Sequence, residues 1–229
     1  MTCTASSLQG AIKEPVASLF RTYETHPTVA YSRLFGGIQA ILVTDQRYCR
    51  NQKTLFAKMR FTICAAKPED CKDIERMIME LAVYEKMPDQ VKISHKELER
   101  DGFGPNPYYQ CLVAEVPEEL MSKDGHTKVG YALFFYTYST WKGRTVYMED
   151  LYVMPEYRSK GIGKALMATV AKVAKEQHCV RLQFSVLDWN KPSLDFYLAK
   201  GAEDLTAKEG WHFLRFHGIA LDNLAQEAP

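Results

Sequence analysis

The stretch Leu151-Tyr152-Val153-Met154-Pro155-Glu156-Tyr157-Arg158-Ser159-Lys160-Gly161-Ile162-Gly163-Lys164-Ala165 decides the fold. An apolar strand closes at Val153, and a basic, glycine-bearing loop follows. On its far side Ile162, Leu166, Val170, Val173 and Ala174 keep a helical period through Gln177. The free N–H groups and dipole of a helix's first turn form an anion site. Gly161 and Gly163 admit positive φ and close backbone approach to a bulky diphosphate, while Arg158 and Lys160 add charge. The competing reading is an ordinary strand–loop–helix junction with a solvated basic rim. A Walker loop is excluded because its G-x-x-x-x-G-K-[ST] spacing is missing. A dinucleotide fingerprint fails for want of a third glycine and an early βαβ position.

Working outward, Met59 to Ala66 alternates as a first strand, and Pro68-Glu69-Asp70 opens a helix. Ile74, Met77, Ile78, Leu81 and Ala82 line one face of that helix over residues 68–85. Ser94 with Glu97 predicts a capping box for a short second helix stopped at Gly102. Strands are expected at Tyr108–Val116, Lys128–Tyr138 and Thr145–Val153, then at Val180–Leu187 and late at Trp211–Phe216. Asn190-Lys191-Pro192 caps a helix ending at Gly201. Strands interleaved with fewer helices predict an α/β fold: a mixed, mostly antiparallel twisted sheet flanked by helices.

The 229 residues suit one domain plus an extension, and 46% hydrophobic content allows a full core. The net charge of +1 argues against nucleic acid or a membrane surface as partner. Residues 1–58 hold seven basic against three acidic side chains, whereas residues 59–229 are net −3. This mildly acidic body suits a small cation. The six cysteines form no CxxC pair and no metal-ligand spacing with histidine, so no metal is expected. They read as reduced thiols of an intracellular, cytoplasmic protein. No apolar run is long enough to span a membrane or early enough for a secretion signal.

Arg158-Ser159-Lys160-Gly161-Ile162-Gly163 resembles the (R/Q)-x-x-G-x-G/A pyrophosphate loop of GNAT acetyltransferases. From Met59 to about Ala225 the chain resembles that fold's diamine acetyltransferases, spermidine/spermine N1-acetyltransferase and its thialysine-acetylating paralogue. The matching stretches include Glu80-Leu81-Ala82, Asp101-Gly102-Phe103-Gly104, Cys111 to Val116, Tyr131 to Tyr138 and Glu209-Gly210-Trp211. Trp141-Lys142-Gly143-Arg144, Val153 to Tyr157 and Leu187-Asp188-Trp189-Asn190 look nearer to the thialysine type. The resemblance implies acetyl-CoA as co-substrate, a splayed sheet at the coenzyme strand, and a homodimer.

Acetyl transfer to an amine needs a deprotonated nitrogen, a polarised thioester and a proton for the leaving thiolate. An alkyl ammonium titrates near pKa ~10, so a base is required at neutral pH. Glu149, at the end of the strand before the loop, is the candidate base through a water; the alternative is a carboxylate closing a strand. Tyr197 can protonate the thiolate, and the resemblance places the catalytic tyrosine there; a lone helical tyrosine is otherwise core. Backbone around Leu151, Tyr152 and Val153 would hold the pantetheine arm and the oxyanion. Arg158, Ser159, Lys160, Gly161, Ile162, Gly163 and Lys164 would take the diphosphate. By the same resemblance Asn190, Lys191, Pro192 and Ser193 approach the coenzyme. Tyr84, Glu85, Glu149, Asp150, Gln183, Phe184 and Ser185 border the substrate.

Two other functions share this pattern: acetylation of a protein or peptide lysine, and a non-catalytic module that binds acyl-CoA. Glu149 and Tyr197 together argue against the second, since a binding module needs neither. Residues 1–58 read as a poorly ordered N-terminal extension: a leader, a regulatory arm or a start-site artefact. Residues 59–229 form the acetyltransferase domain. The amine expected first is thialysine or a related amino-acid side chain, with spermidine and spermine second.

Overall fold

A computed structural model describes residues 60–229; the expected disorder of residues 1–58 lies outside them. Five strands form one open sheet in the order β1 (Thr62–Ala65), β2 (Gln110–Glu115), β3 (Lys128–Ser139), β4 (Gly143–Val153) and β5 (Leu182–Gln183). The first four run antiparallel and β5 lies parallel to β4, giving the mixed, mostly antiparallel sheet expected. Val129 to Phe134 are buried without a break, so both faces of β3 are covered.

Two long helices supply much of that cover. α1 (Cys71–Tyr84) follows a 3-10 turn at Pro68–Asp70 and buries Ile74, Met77 and Ala82. α3 (Ile162–Glu176) buries Ile162, Leu166, Val170 and Ala174, the apolar period read from the sequence. Each fully buried side chain of this size stabilises the fold by roughly 1.5–3 kcal/mol. Between them, α2 (His95–Phe103) begins at the expected capping box, in which the Ser94 side chain accepts from the Glu97 amide. Cys71, Cys111 and Cys179 are buried free thiols.

Three expectations need correction. Gly102 does not stop α2, which runs through Phe103. A Cβ on Gly102 would stand 2.4 Å from the Tyr109 ring, so close ring approach is what requires glycine there. The strand expected over Val180–Leu187 is only two residues long. Trp211–Phe216 forms no strand; it lies exposed between α5 (Leu205–Glu209) and α6 (Ile219–Gln226). A strand exists only where a partner accepts its hydrogen bonds, and among the described residues no strand pairs with that segment. No helix among the described residues is long and apolar enough to cross a membrane.

Candidate functional site

The site forms where β4 and β5 part. They pair only at Val146↔Leu182 and Tyr147↔Gln183. Beyond Tyr147, β4 has no strand neighbour on that side among the described residues, so the backbone edge from Glu149 to Val153 is left without a strand partner there. On its other side β4 carries a bulge: Leu133 pairs with Asp150 and Phe134 with Met148, which leaves Glu149 unpaired. A bulge re-aims adjacent side chains, and here it puts two consecutive carboxylates at the mouth of the split. Glu149 is exposed, whereas Asp150 is partly buried.

Glu85, just past the end of α1, is close enough to raise the pKa of Asp150. Burial is the largest cause of that rise, to about 6, with Glu149 and Glu85 adding to it. The Tyr131 hydroxyl donates to Asp150 Oδ2 at 2.9 Å and opposes the shift. Burial also raises the pKa of Glu85. Glu85, Glu149 and Asp150 therefore form one anionic cluster, as a cation site requires.

Tyr197, on α4 (Lys191–Leu198), is buried, and its ring lies 4.4 Å from that of Phe184. Burial first and Glu85 second push its pKa up to about 12, so it is a neutral donor at any working pH. Gln183 sits in β5 beside Tyr147, whose hydroxyl lies 2.6 Å from that of Ser185. The Tyr84 hydroxyl donates to Asn190 Oδ1 at 3.2 Å, and the same oxygen caps α4 by accepting from the Ser193 amide at 3.4 Å. Trp189 packs on Tyr84 at 5.7 Å, and Lys86 lies over the Trp189 ring. The expected substrate residues Glu85, Asp150 and Phe184 thus connect through charge or ring contact with the expected catalytic Tyr197, while Tyr84 meets Asn190 and Trp189. Lys191 points to Asp188 at 3.3 Å, and Pro192 occupies the first turn of α4.

The loop behaves locally as read. Gly161 has φ +90° and caps α3 without a side-chain hydrogen bond, so its own residues leave the helix N-terminus uncapped. No acidic residue lies in that first turn, and Lys164 does. Gly163 departs from the expectation: it is helical, with ordinary φ, and a Cβ there would meet only Val153 Cγ2, at 3.7 Å. The positive φ accounts for glycine at 161, whereas no described atom crowds a side chain at 163, which leaves room for a diphosphate. Ser159 has φ 61°. Lys160 donates from Nζ to the Glu156 carbonyl at 2.6 Å. Arg158 donates from Nε to the Val153 carbonyl at 2.9 Å, with its guanidinium 5.0 Å from the Tyr84 ring and 5.9 Å from that of Tyr152. Arg158 therefore lies against both β4 and Tyr84, one of the expected substrate residues.

Several contacts escaped the sequence reading. Tyr152 donates to Glu80 Oε2 at 2.8 Å, and Glu80 pairs with Arg76 at 2.6 Å, tying α1 to β4. The Arg76/Glu80 spacing of four on one helix was a usable signal. Nothing local marked Tyr131. Among the described residues no group of three or more His, Cys, Asp or Glu could hold a metal ion.

The Acetyltransferase (GNAT) family profile matches residues 79–202. The chain is 53% identical over 160 residues to the thialysine N-epsilon-acetyltransferase of Bos taurus, covering 70% of this chain and 94% of that protein. The Caenorhabditis elegans protein of the same name is 35% identical over 73% of this chain and 98% of its own length. A human spermidine/spermine N(1)-acetyltransferase-like protein is 39% identical over 73% of this chain but only 24% of itself. Among solved structures, an integron cassette protein from V. cholerae superposes with TM-score 0.58 at 26% identity, over 74% of this chain and all of that one. An aminoglycoside N-acetyltransferase in complex with CoA superposes with TM-score 0.53 at 16% identity, over 70% and 95%, a likeness of fold alone. The chain belongs to the GNAT family and is an N-acetyltransferase, with acetyl-CoA as its co-substrate.

Proposed function

We propose that the enzyme acetylates the primary amine of a small cation. The side-chain amine of thialysine or a related amino acid comes first, with spermidine or spermine second. The observation that carries this reading is the cluster of Glu85, Glu149 and Asp150 where β4 and β5 separate. The names borne by the bovine and nematode relatives support the ranking. A polyamine needs carboxylates along its whole length, whereas the anionic groups here gather at one place.

Acetyl-CoA supplies the activated thioester. Gly161 to Lys164 and the α3 N-terminus would receive its diphosphate, with Arg158 and Lys160 alongside. The unpaired edge of Leu151 to Val153 would hold the pantetheine arm and donate to the developing oxyanion. Asn190, Lys191, Pro192 and Ser193 would border the arm from α4. Glu85 and Asp150 hold the ammonium, and Glu149, solvated and at the bulge, removes its proton through a water. The lone pair then attacks the thioester carbon, and the thiolate leaves as the C–S bond breaks. Tyr197 donates to that sulfur. A phenol near 12 is a weaker acid than a thiol near 8.5, so full transfer from Tyr197 is uphill by roughly three to four pK units. Tyr197 therefore stabilises the leaving sulfur by a hydrogen bond tightening with C–S cleavage, and solvent completes the protonation.

We infer further a cytoplasmic homodimer. Trp211, Phe213, Leu214, Phe216, Ile219 and Leu221 are all at least half exposed, a run of apolar side chains that a subunit interface would cover. Sedimentation showing a monomer at micromolar concentration would count against the dimer. The substrate reading is tested by thiol release from acetyl-CoA with thialysine, lysine, spermidine, putrescine and a lysine-bearing peptide, compared by kcat/KM. Thialysine should lead. A tenfold lead for spermidine would overturn the ranking, and a lead for the peptide would move the enzyme to protein modification.

A further inference from the structure

Tyr131 heads the fully buried side chains by volume. Phenylalanine would fill the same space, so its hydroxyl is what calls for explanation, because a buried hydroxyl is costly unless partnered. The partner is Asp150, whose Oδ2 accepts from it at 2.9 Å. A Cβ on neighbouring Gly130 would approach Leu166 of α3, so Tyr131 points to the opposite face, where α1 ends at Glu85.

Asp150 is surrounded by groups that disfavour its charge. Glu149 lies beside it on β4 and Glu85 reaches it from the end of α1, while the Cys111 thiol on β2, its own pKa pushed well up, stays neutral. Tyr131 on β3 is the one group here that favours the ionised form. Its own pKa is pushed well above the phenolic range by burial and by Asp150, so it stays a donor.

Resting on the amine-site reading above, we propose that Tyr131 is a positioning and specificity-determining residue: its buried phenol fixes one oxygen of Asp150 and leaves the other for the substrate's ammonium beside Glu85. Without that donor Asp150 would have only burial and two carboxylates acting on it, and it would hold its proton at neutral pH. A neutral Asp150 cannot anchor a cation. The hydroxyl thus keeps the pocket selective for charged amines over neutral ones of the same shape.

The test is kcat/KM for a cationic amine against pH in wild type, Tyr131→Phe, Asp150→Asn and the double variant, with KM for acetyl-CoA measured alongside. The active form of Asp150 is ionised, so activity rises with pH through its pKa, about 6 in the free enzyme. Removing a hydrogen bond to a charged group moves that acidic limb upward by roughly one to two pH units. The ratio of variant to wild type cancels the amine's own ionisation. It should fall by about two- to tenfold near neutrality and return towards one in alkali, with KM for acetyl-CoA unchanged. Tyr131→Phe should add nothing in the Asp150→Asn background. A fluorinated tyrosine at 131, nearly isosteric and a stronger donor, should move the limb the other way even if the phenylalanine variant folds poorly. A ratio flat across pH, or an equal effect in the Asp150→Asn background, would overturn the role of Tyr131 alone. Wild-type enzyme that turned over no cationic amine would overturn the amine site and this role with it.

Discussion

Asp150→Asn should make the protein more stable and less active, and the stability gain should depend on pH in one direction only. The substitution keeps the shape of the side chain and leaves an amide oxygen to accept from Tyr131. It removes a charge that the fold holds at a cost. In the folded protein the pKa rises from 3.8 to about 6, with burial the main cause. Between those values the unfolded chain has released its proton while the folded one retains it, so stability falls as pH rises through the window. Below about 4 the cost is absent; above about 6 it is complete. At about 1.36 kcal/mol per unit the full cost is about 3 kcal/mol, an upper figure because local relaxation lowers it. The variant's advantage should therefore approach about 3 kcal/mol near pH ~7.5 and shrink to about 1 kcal/mol near pH ~4.5. Urea unfolding of both proteins at the two pH values measures it through the midpoints at constant slope. A variant less stable than wild type at the higher pH, or an advantage equal at both, would refute the reasoning.

Tyr197→Phe should lower kcat by roughly 10²–10⁴ with acetyl-CoA affinity nearly intact, and full activity would remove the donor assignment. Glu149→Gln should lose activity near neutrality and recover as pH rises toward the amine's own pKa; a loss constant across pH would mean that Glu149 is not the base. Gly163→Ala should stabilise α3 by up to about 1 kcal/mol, since its Cβ meets only Val153 at ordinary distance, yet weaken acetyl-CoA binding. Titration calorimetry showing unchanged affinity would contradict the diphosphate cradle. A protein beginning at Met59 should fold and acetylate as well as the full chain, and loss of activity on that deletion would show that residues 1–58 contribute.

Much of this site was legible because its signals are local. The loop from Arg158 to Lys164 carries its glycines and charges within one helix start, and the period of Leu166, Val170 and Ala174 fixes the helix behind it. The capping box at Ser94 is likewise written in four residues. What escaped depends on partners distant in sequence. The bulge at Glu149 exists only in the register between β3 and β4. The hydroxyl of Tyr131 acquires meaning only when Asp150 lies 2.9 Å away, nineteen residues on. Trp211 to Phe216 has strand composition without an edge to join, and alternation alone cannot supply one. Gly102 looked like a helix stop because the ring of Tyr109, which requires it, arrives from the next strand's approach.

At the split between β4 and β5 we propose that a small cation's amine takes the acetyl group. Mass spectrometry of the products from acetyl-CoA and thialysine, with released thiol counted in the same reaction, tests it most directly. One acetyl group should appear on the side-chain nitrogen for each thiol released, both lost in the Glu85→Gln, Asp150→Asn double variant while acetyl-CoA still binds. Acetyl placed on the α-nitrogen, or undiminished turnover in that double variant, would contradict it.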